Sequence, residues 1–442
     1  MTLLDIDERL RKLGKNIQLV SIDAYESALK EITKKLNKKY YGTGSEVAHA
    51  YIVGSVGRGT AAVGESDVDM IFELPWKEYE RFSVYADNGQ SALLQEVKEE
   101  ILGRYPRTDL KGDGQVVVID FDLFRVELVP AFLRPDGSYL HPDTNHGGSW
   151  KSTYPRLEQR AVWEMQERSL RYFGFLCNVL RVWRGAQKVA IGGFLIDTLV
   201  YDYFSQGMRI FEPNKTYFFV LLKDVLEYIA RQDENNIEWQ ALGSGVPIGS
   251  PDNGSFIRKA KKFAEKTDDV KFDAEKLNEV LSAMLGSEYE NADSQYSSRP
   301  VAPNEEFIED ESVVALNSLM SLDCRVTQDG FRPFPLRKWL SEVARNLRFL
   351  SLNKSLEFHI EESSTDKPYG IKWKVRNVGE EAVRRNDERG SIFPGSDRHV
   401  ENTKFTGPHY VECYIEKEGV CVSRTRLDVP IDAKSKDDEH VL

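Results

Sequence analysis

Two aspartates, Asp67 and Asp69, stand one residue apart, and ten residues separate Ser55 of the Gly54-Ser55 dipeptide from the Ser66 that precedes them. Residues i and i+2 of a strand project to the same face, so a strand here would point both carboxylates together. Such a pair repels itself, makes a poor core, and suits a hard divalent cation such as Mg²⁺. Gly54-Ser55 offers the complementary half. A glycine lets backbone N–H groups approach a phosphate, the serine hydroxyl adds a hydrogen bond, and a helix starting there would aim its positive end at the anion. A phosphate cradle beside a metal-binding pair is the equipment of nucleotidyl transfer, in which two metals can clamp the attacking and leaving oxygens.

The surrounding pattern supplies elements to hold these groups. Apolar residues 49–53 predict a strand running into Gly54, and residues 68–74 a second strand closed by Pro75. The first forty residues read as helix, with Leu29, Ile32 and Leu36 at helical spacing and lysines towards the end. Residues 116–132 are rich in β-branched and aromatic types and predict two strands turned near Asp122. From 155 to 206 the period becomes helical, with Leu176, Val179, Leu180 and Trp183 on one stripe and Leu195, Leu199 and Tyr203 on another; further helices are expected over 217–230 and 255–267. Ser, Asn, Asp and Pro dominate 286–306, which reads as a linker. A last helix is expected over 336–350, and then Leu356, Phe358 and Ile360, Ile371, Trp373 and Val375, and Val411, Cys413 and Ile415 alternate with polar residues as in a small β-sandwich.

At 442 residues the chain exceeds what one hydrophobic core serves, so several domains are expected. A net charge of -12 argues against sequence-blind coating of nucleic acid, leaving nucleic acid only as a product or trigger. Charged residues fill the N-terminal positions where a signal peptide needs apolar ones, and no apolar run is long enough for a membrane span. The four cysteines are scattered without CxxC spacing, consistent with reduced core thiols, Cys413 and Cys421 included, in a cytoplasmic protein.

Gly54-Ser55, Arg58-Gly59-Thr60 and Ser66-Asp67-Val68-Asp69 together resemble the signature of the DNA polymerase β-like nucleotidyltransferases. In the branch that contains oligoadenylate synthase and cyclic GMP–AMP synthase, a third carboxylate opens a stretch similar to Glu127-Leu128-Val129-Pro130-Ala131. The resemblance implies Glu127 as the third catalytic and metal-binding carboxylate, with Glu for the commoner Asp and with Asp120 and Asp122 as nearby rivals. Asn178 to Arg184 is similar to a Leu-Leu-Lys-x-Trp-Lys helix of bacterial relatives, which implies that Arg181 grips the donor triphosphate; an amphipathic helix with solvated arginines is the alternative. Asp197 falls where relatives carry a Glu. Residues 323–332, Tyr369 to Gly379, Arg389-Gly390 and His409 to Ile415 resemble the adenylyl/guanylyl and SMODS C-terminal sensor domain.

The resemblance implies an α+β chain. A polymerase-β-like nucleotidyltransferase core over 1–155 would be joined by a helical domain over 156–290 that completes the nucleotide cleft. A linker over 291–304 would lead to a β-sandwich-like sensor domain over 305–432 and a tail over 433–442. Gly54, Ser55, Arg58, Thr60 and Arg181 would bind nucleotide; Asp67, Asp69 and Glu127 would be catalytic and hold two Mg²⁺ or Mn²⁺ ions. The expected activity joins nucleoside triphosphates into a signalling oligonucleotide of the cyclic di- or trinucleotide class. Its product would control a separate effector, soluble or membrane-bound, in anti-phage defence. A synthase of linear oligonucleotides and a non-catalytic nucleotide-sensing module are the competing readings.

Overall fold

The computed structural model describes residues 1–432 apart from 65–66, 86, 107, 207–216, 251–253, 271–272, 298–301, 303 and 344–349; Ser66 and the expected tail 433–442 lie outside the described residues. Two helices, not one, occupy the first forty residues. Helix α1 (Leu3–Ile17) begins at a capping box in which Thr2 and Asp5 satisfy each other's backbone N–H, and α2 (Asp23–Tyr40) follows. Then come β1 (Ala50–Ile52), α3 (Gly54–Arg58), β2 (Asp67–Glu73), α4 (Trp76–Ser83), α5 (Gly89–Leu102), β3 (Asp109–Asp113), β4 (Val116–Asp120), β5 (Arg125–Leu133), β6 (Tyr139–Asp143) and β7 (Ser149–Thr153). The strands form one sheet in the order β1-β2-β5-β4-β3, with β6 and β7 continuing from the end of β5. Strands β2 and β5 are parallel and the other pairings antiparallel. The strand pleat divides this sheet's labour. Val68, Met70 and Phe72 of β2 and Val126 and Leu128 of β5 are buried in one cluster with Leu29, Ile32 and Leu36 of α2 and Leu93, Leu94 and Val97 of α5. The alternate residues, Asp67, Asp69, Glu127 and Val129, face the other way, into a cleft.

The helical lobe contains α6 (Pro155–Arg168), α7 (Tyr172–Ala186), α8 (Gly193–Ser205), α9 (Phe218–Ala230), a small hairpin of β8 (Glu238–Gln240) and β9 (Pro247–Gly249), α10 (Ser255–Val270), α11 (Ala274–Leu285), α12 (Ser287–Glu290) and α13 (Ala292–Ser297). Helix α1 belongs to this lobe, since Ile6, Leu10, Leu13 and Ile17 join Leu176, Leu180 and Trp183 in its core. The start of the expected linker is also helical and docked. Ala292 is fully buried, and Asp293 pairs with Arg9 and Lys12 of α1 at 2.9 and 3.0 Å.

The C-terminal part holds α14 (Ile308–Glu311), β10 (Val313–Val314), β11 (Met320–Thr327), β12 (Phe334–Pro335), α15 (Leu336–Val343), β13 (Ser355–Ser363), β14 (Gly370–Arg376), α16 (Glu380–Arg385), β15 (Arg389–Gly395), β16 (Arg398–Asn402), β17 (Gly407–Lys417) and β18 (Val420–Ile431). A five-stranded sheet, β10-β18-β17-β14-β15, and a four-stranded one, β12-β11-β13-β16, share a core that includes Phe358, Trp373, Cys413 and Val422, the sandwich expected from the alternation. The larger sheet's other face lies on the N-terminal sheet lobe: Tyr414 and Cys421 sit in the same cluster as Leu29 and Val56. Cys413 and Cys421 therefore belong to opposite faces of one sheet, and all four cysteines are buried and free.

Candidate active site

Gly54 has φ +63, and a side chain there would collide with Asp69, since an ideal Cβ would lie 1.7 Å from its Oδ2. Only glycine allows the turn after β1 and the carboxylate of β2 to lie in contact. A helix does begin at this glycine, as expected, but α3 is only five residues long. Whatever helix dipole it contributes is correspondingly short. Asp69 is in register with Glu127 on the neighbouring parallel strand, and Asp67 with Arg125. Asp120, the rival for the third carboxylate, is paired with Arg125 at 2.6 Å, and Asp122 lies in the exposed turn between β4 and β5. Gly54, Ser55, Asp67, Asp69 and Glu127 line a cleft of about 630 Å³, walled on the far side by Arg58, Arg181, Arg184 and Phe194.

Arg58, Thr60 and Arg181 are all buried, and they meet at Asp197. Thr60 Oγ1 donates to Asp197 Oδ2 at 2.7 Å, and Arg181 Nη1 donates to Oδ1 at 2.7 Å. The alternative of solvated arginines thus fails for Arg181. It also has a carboxylate partner that residue spacing did not reveal.

Three further cleft residues carried no signal in the sequence. Gln115 of β4–β3's turn, His141 of β6 and Glu158 of α6 all line it. The Nδ1 of His141 lies 3.1 Å from the Pro142 carbonyl oxygen; donation there would leave Nε2 as an acceptor, and burial pushes the imidazole pKa down. Burial likewise raises Glu158, against the pull of Arg58 and a 3.0 Å hydrogen bond from Ser244. Both were invisible because they come from elements with no recognisable motif, brought to the cleft by the β6–β7 hairpin and the start of α6.

The donor chemistry suits a hard cation: three carboxylates and a hydroxyl, with no sulfur. Among the described residues no group of three or more His, Cys, Asp or Glu side chains stands preformed as an ion site.

Residues 4–165 match the Second Messenger Oligonucleotide or Dinucleotide Synthetase domain, and residues 302–432 match the Adenylyl/Guanylyl and SMODS C-terminal sensor domain. The chain thus joins a synthetase domain of the SMODS type to the sensor domain that goes by the same name. The synthetase domain makes it an enzyme of nucleotidyl transfer, and its α+β fold is consistent with a polymerase-β-like nucleotidyltransferase core. No curated protein sequence matches this nucleotidyltransferase. Among solved structures it is similar to E. coli MS115-1 CdnC in complex with HORMA-deltaN (14% identity, TM-score 0.49, covering 64% of this chain and 97% of that one). It is also similar to Elizabethkingia meningoseptica CdnE cyclic dinucleotide synthase with GTP and Apcpp (15%, 0.45, 58% and 98%) and Bradyrhizobium diazoefficiens CdnG with GTP (13%, 0.48, 66% and 98%). The activity rests on the synthetase-domain match. No helix among the described residues is long and apolar enough to cross a membrane.

Proposed function

We propose that this nucleotidyltransferase joins nucleoside triphosphates into a signalling oligonucleotide of the cyclic di- or trinucleotide class. The product would control a separate effector in anti-phage defence, in the cytoplasm. The observation that carries the reading is the register of Asp69 with Glu127, opposite a glycine that can tolerate no side chain. Three carboxylates at one edge of a cleft and two buried guanidinium groups at the other fit a triphosphate laid between them.

Asp67, Asp69 and Glu127 would hold Mg²⁺ or Mn²⁺, two ions in all. The bound metal supplies Lewis acidity at the phosphoryl and hydroxyl oxygens. Gly54 and Ser55 hold the donor phosphates, and Arg58 and Arg181, braced from behind by the buried Thr60, fix the far end of the triphosphate. A Glu127 carboxylate oxygen takes the proton of the attacking sugar hydroxyl, whose oxygen forms the new bond to the α-phosphorus as pyrophosphate leaves. The acceptor is a second nucleotide, and ring closure repeats the step within one product. The cleft lies between the units 1–155 and 156–290, and the unit 305–432 serves as sensor.

The test is to incubate the purified chain with labelled triphosphates and Mg²⁺ or Mn²⁺ and to identify products by mass spectrometry. An exonuclease-resistant oligonucleotide, absent with the Asp67→Asn/Asp69→Asn double variant and absent in EDTA, is expected. An exonuclease-sensitive product would assign linear synthesis instead. No product from either protein would leave the sensing-module reading.

A further inference from the structure

Asp197 lies on α8, is 0% exposed, and its carboxylate is shared by three donors from two lobes. Oδ1 accepts from Arg181 Nη1 of α7 at 2.7 Å. Oδ2 accepts from Thr60 Oγ1 at 2.7 Å and from Arg58 Nε and Nη2 at 3.3 and 3.2 Å. Arg58 ends α3, the turn that starts at Gly54, and Thr60 follows it. Arg181 Nη2 also reaches Thr60 Oγ1 at 3.4 Å and the Gly193 carbonyl oxygen, at the start of α8, at 3.3 Å. The Phe194 ring packs on the Arg58 guanidinium, 4.4 Å from ring centroid to Cζ. One carboxylate thus ties the phosphate-binding turn to two helices of the opposite lobe.

A buried ion pair is by itself weak evidence of stabilisation, because desolvation costs about what the attraction returns. Location distinguishes this one. Both guanidinium groups line the cleft that holds Asp67, Asp69 and Glu127, so whatever orients them orients groups facing the substrate. Burial would push the Asp197 carboxyl up, yet Arg181 and Arg58 beside it bring it below the usual carboxylate range, which keeps it charged and able to accept from all three donors.

We propose that Asp197 is a positioning residue for nucleotidyl transfer. It holds Arg58 and Arg181 in one geometry across the base of the cleft, so that the donor triphosphate is aligned for in-line attack once it is bound. The proposal rests on the synthase reading above and assigns alignment, not affinity, to this carboxylate. Without it the two cations remain in the cleft and still attract a triphosphate, but they lose the carboxylate they share, which fixes their separation. Misplacement on the scale of an ångström costs on the order of a hundredfold in rate.

The test compares wild type, Asp197→Asn and Thr60→Val as full chains. Turnover of labelled triphosphates gives kcat and KM, calorimetry with α,β-methylene-ATP gives affinity without turnover, and melting reports folding. In Asp197→Asn, kcat falls at least thirtyfold while KM and analogue affinity stay within threefold; Thr60→Val, which removes the hydroxyl between Asp197 and Arg181 with little change of volume, loses several-fold in kcat only. A fall in kcat matched by an equal loss of analogue affinity would overturn the proposal, since Asp197 would then serve binding. Undiminished kcat in either variant would also overturn it. Should Asp197→Asn not fold, the kcat-against-KM split in Thr60→Val decides. Wild type without product would overturn the synthase reading itself, a result distinct from an active wild type with an equally active Asp197→Asn.

Discussion

Glu127 is the most instructive single residue. It stands where the family more often has Asp, and the longer side chain comes from the position directly beside Asp69. If its task is to accept a proton and ligate a cation, carboxylate chemistry matters more than the extra methylene. Glu127→Asp should then keep activity within about tenfold of wild type, whereas Glu127→Gln should lose on the order of a hundredfold or more, both read as product formed per minute. Equal loss in the two variants would mean that reach, not the carboxylate, is decisive. The identity of the third carboxylate was only half legible from residue types. Asp120, Asp122 and Glu127 all lie near the turn; register sets Glu127 beside Asp69, whereas Asp120 is opposite Arg125 and paired with it.

Among elements, α3 is held from behind by very close contacts. An ideal Cβ at Gly57 would lie 2.3 Å from the Ile52 carbonyl oxygen and 2.7 Å from Gln159 Nε2. Both belong to a hydrogen-bonded joint. Gln159 Nε2 donates to Ile52 O at 3.1 Å, and Asn317 Nδ2 donates to Gln159 Oε1 at 3.1 Å. Gly57→Ala must shift backbone here, which overpacking data put at roughly 1–3 kcal/mol. It should lower the melting temperature and the activity together. In the sandwich, Arg389 of β15 grips Glu401 of β16 through two 2.9 Å contacts, linking the two sheets. Although burial opposes it, the hydrogen bond from His399 and the Arg389 contacts bring Glu401 down to about 2. A depressed carboxylate stabilises the fold above its unfolded pKa, near 4.3, and that contribution is lost as pH falls towards 2. Arg389→Gln should therefore melt earlier than wild type at pH 7, and the gap should close by about pH 2. A gap independent of pH would assign the effect to packing.

At the level of the whole molecule, the sensor half is not a tethered appendage. Residues 313–319 lie between the two halves: Ala315 and Asn317 donate to the Cys421 and Val422 carbonyl oxygens of β18, while Ile52 of β1 donates to Asn317 O at 2.9 Å. An ideal Cβ at Gly59, φ +76, would lie 2.4 Å from the Val314 carbonyl oxygen, so the chain leaving α3 touches this segment directly. Ile308, Val314, Leu316, Leu319, Tyr414 and Cys421 are buried in the same cluster as the catalytic sheet. Burial of one large apolar side chain contributes about 1.5–3 kcal/mol, a substantial share of a typical net stability. Ending the chain before residue 302 should consequently give an aggregated or strongly destabilised product by size-exclusion chromatography and melting, and not an active free transferase.

Residue types and their spacing carry the expected chemistry and most of the elements. Gly54-Ser55 and Asp67-x-Asp69 are local patterns, and local pattern also sets the alternation that makes strands and the period that makes helices. Only the tertiary structure decided which residues meet. It put α1 in the helical lobe, gathered Arg58, Thr60 and Arg181 around Asp197, brought His141 and Glu158 to the cleft, and fused the sensor sheet to the catalytic core. These are contacts between residues more than a hundred positions apart in several cases, and they depend on how faces pack. No periodicity records which face finds which partner.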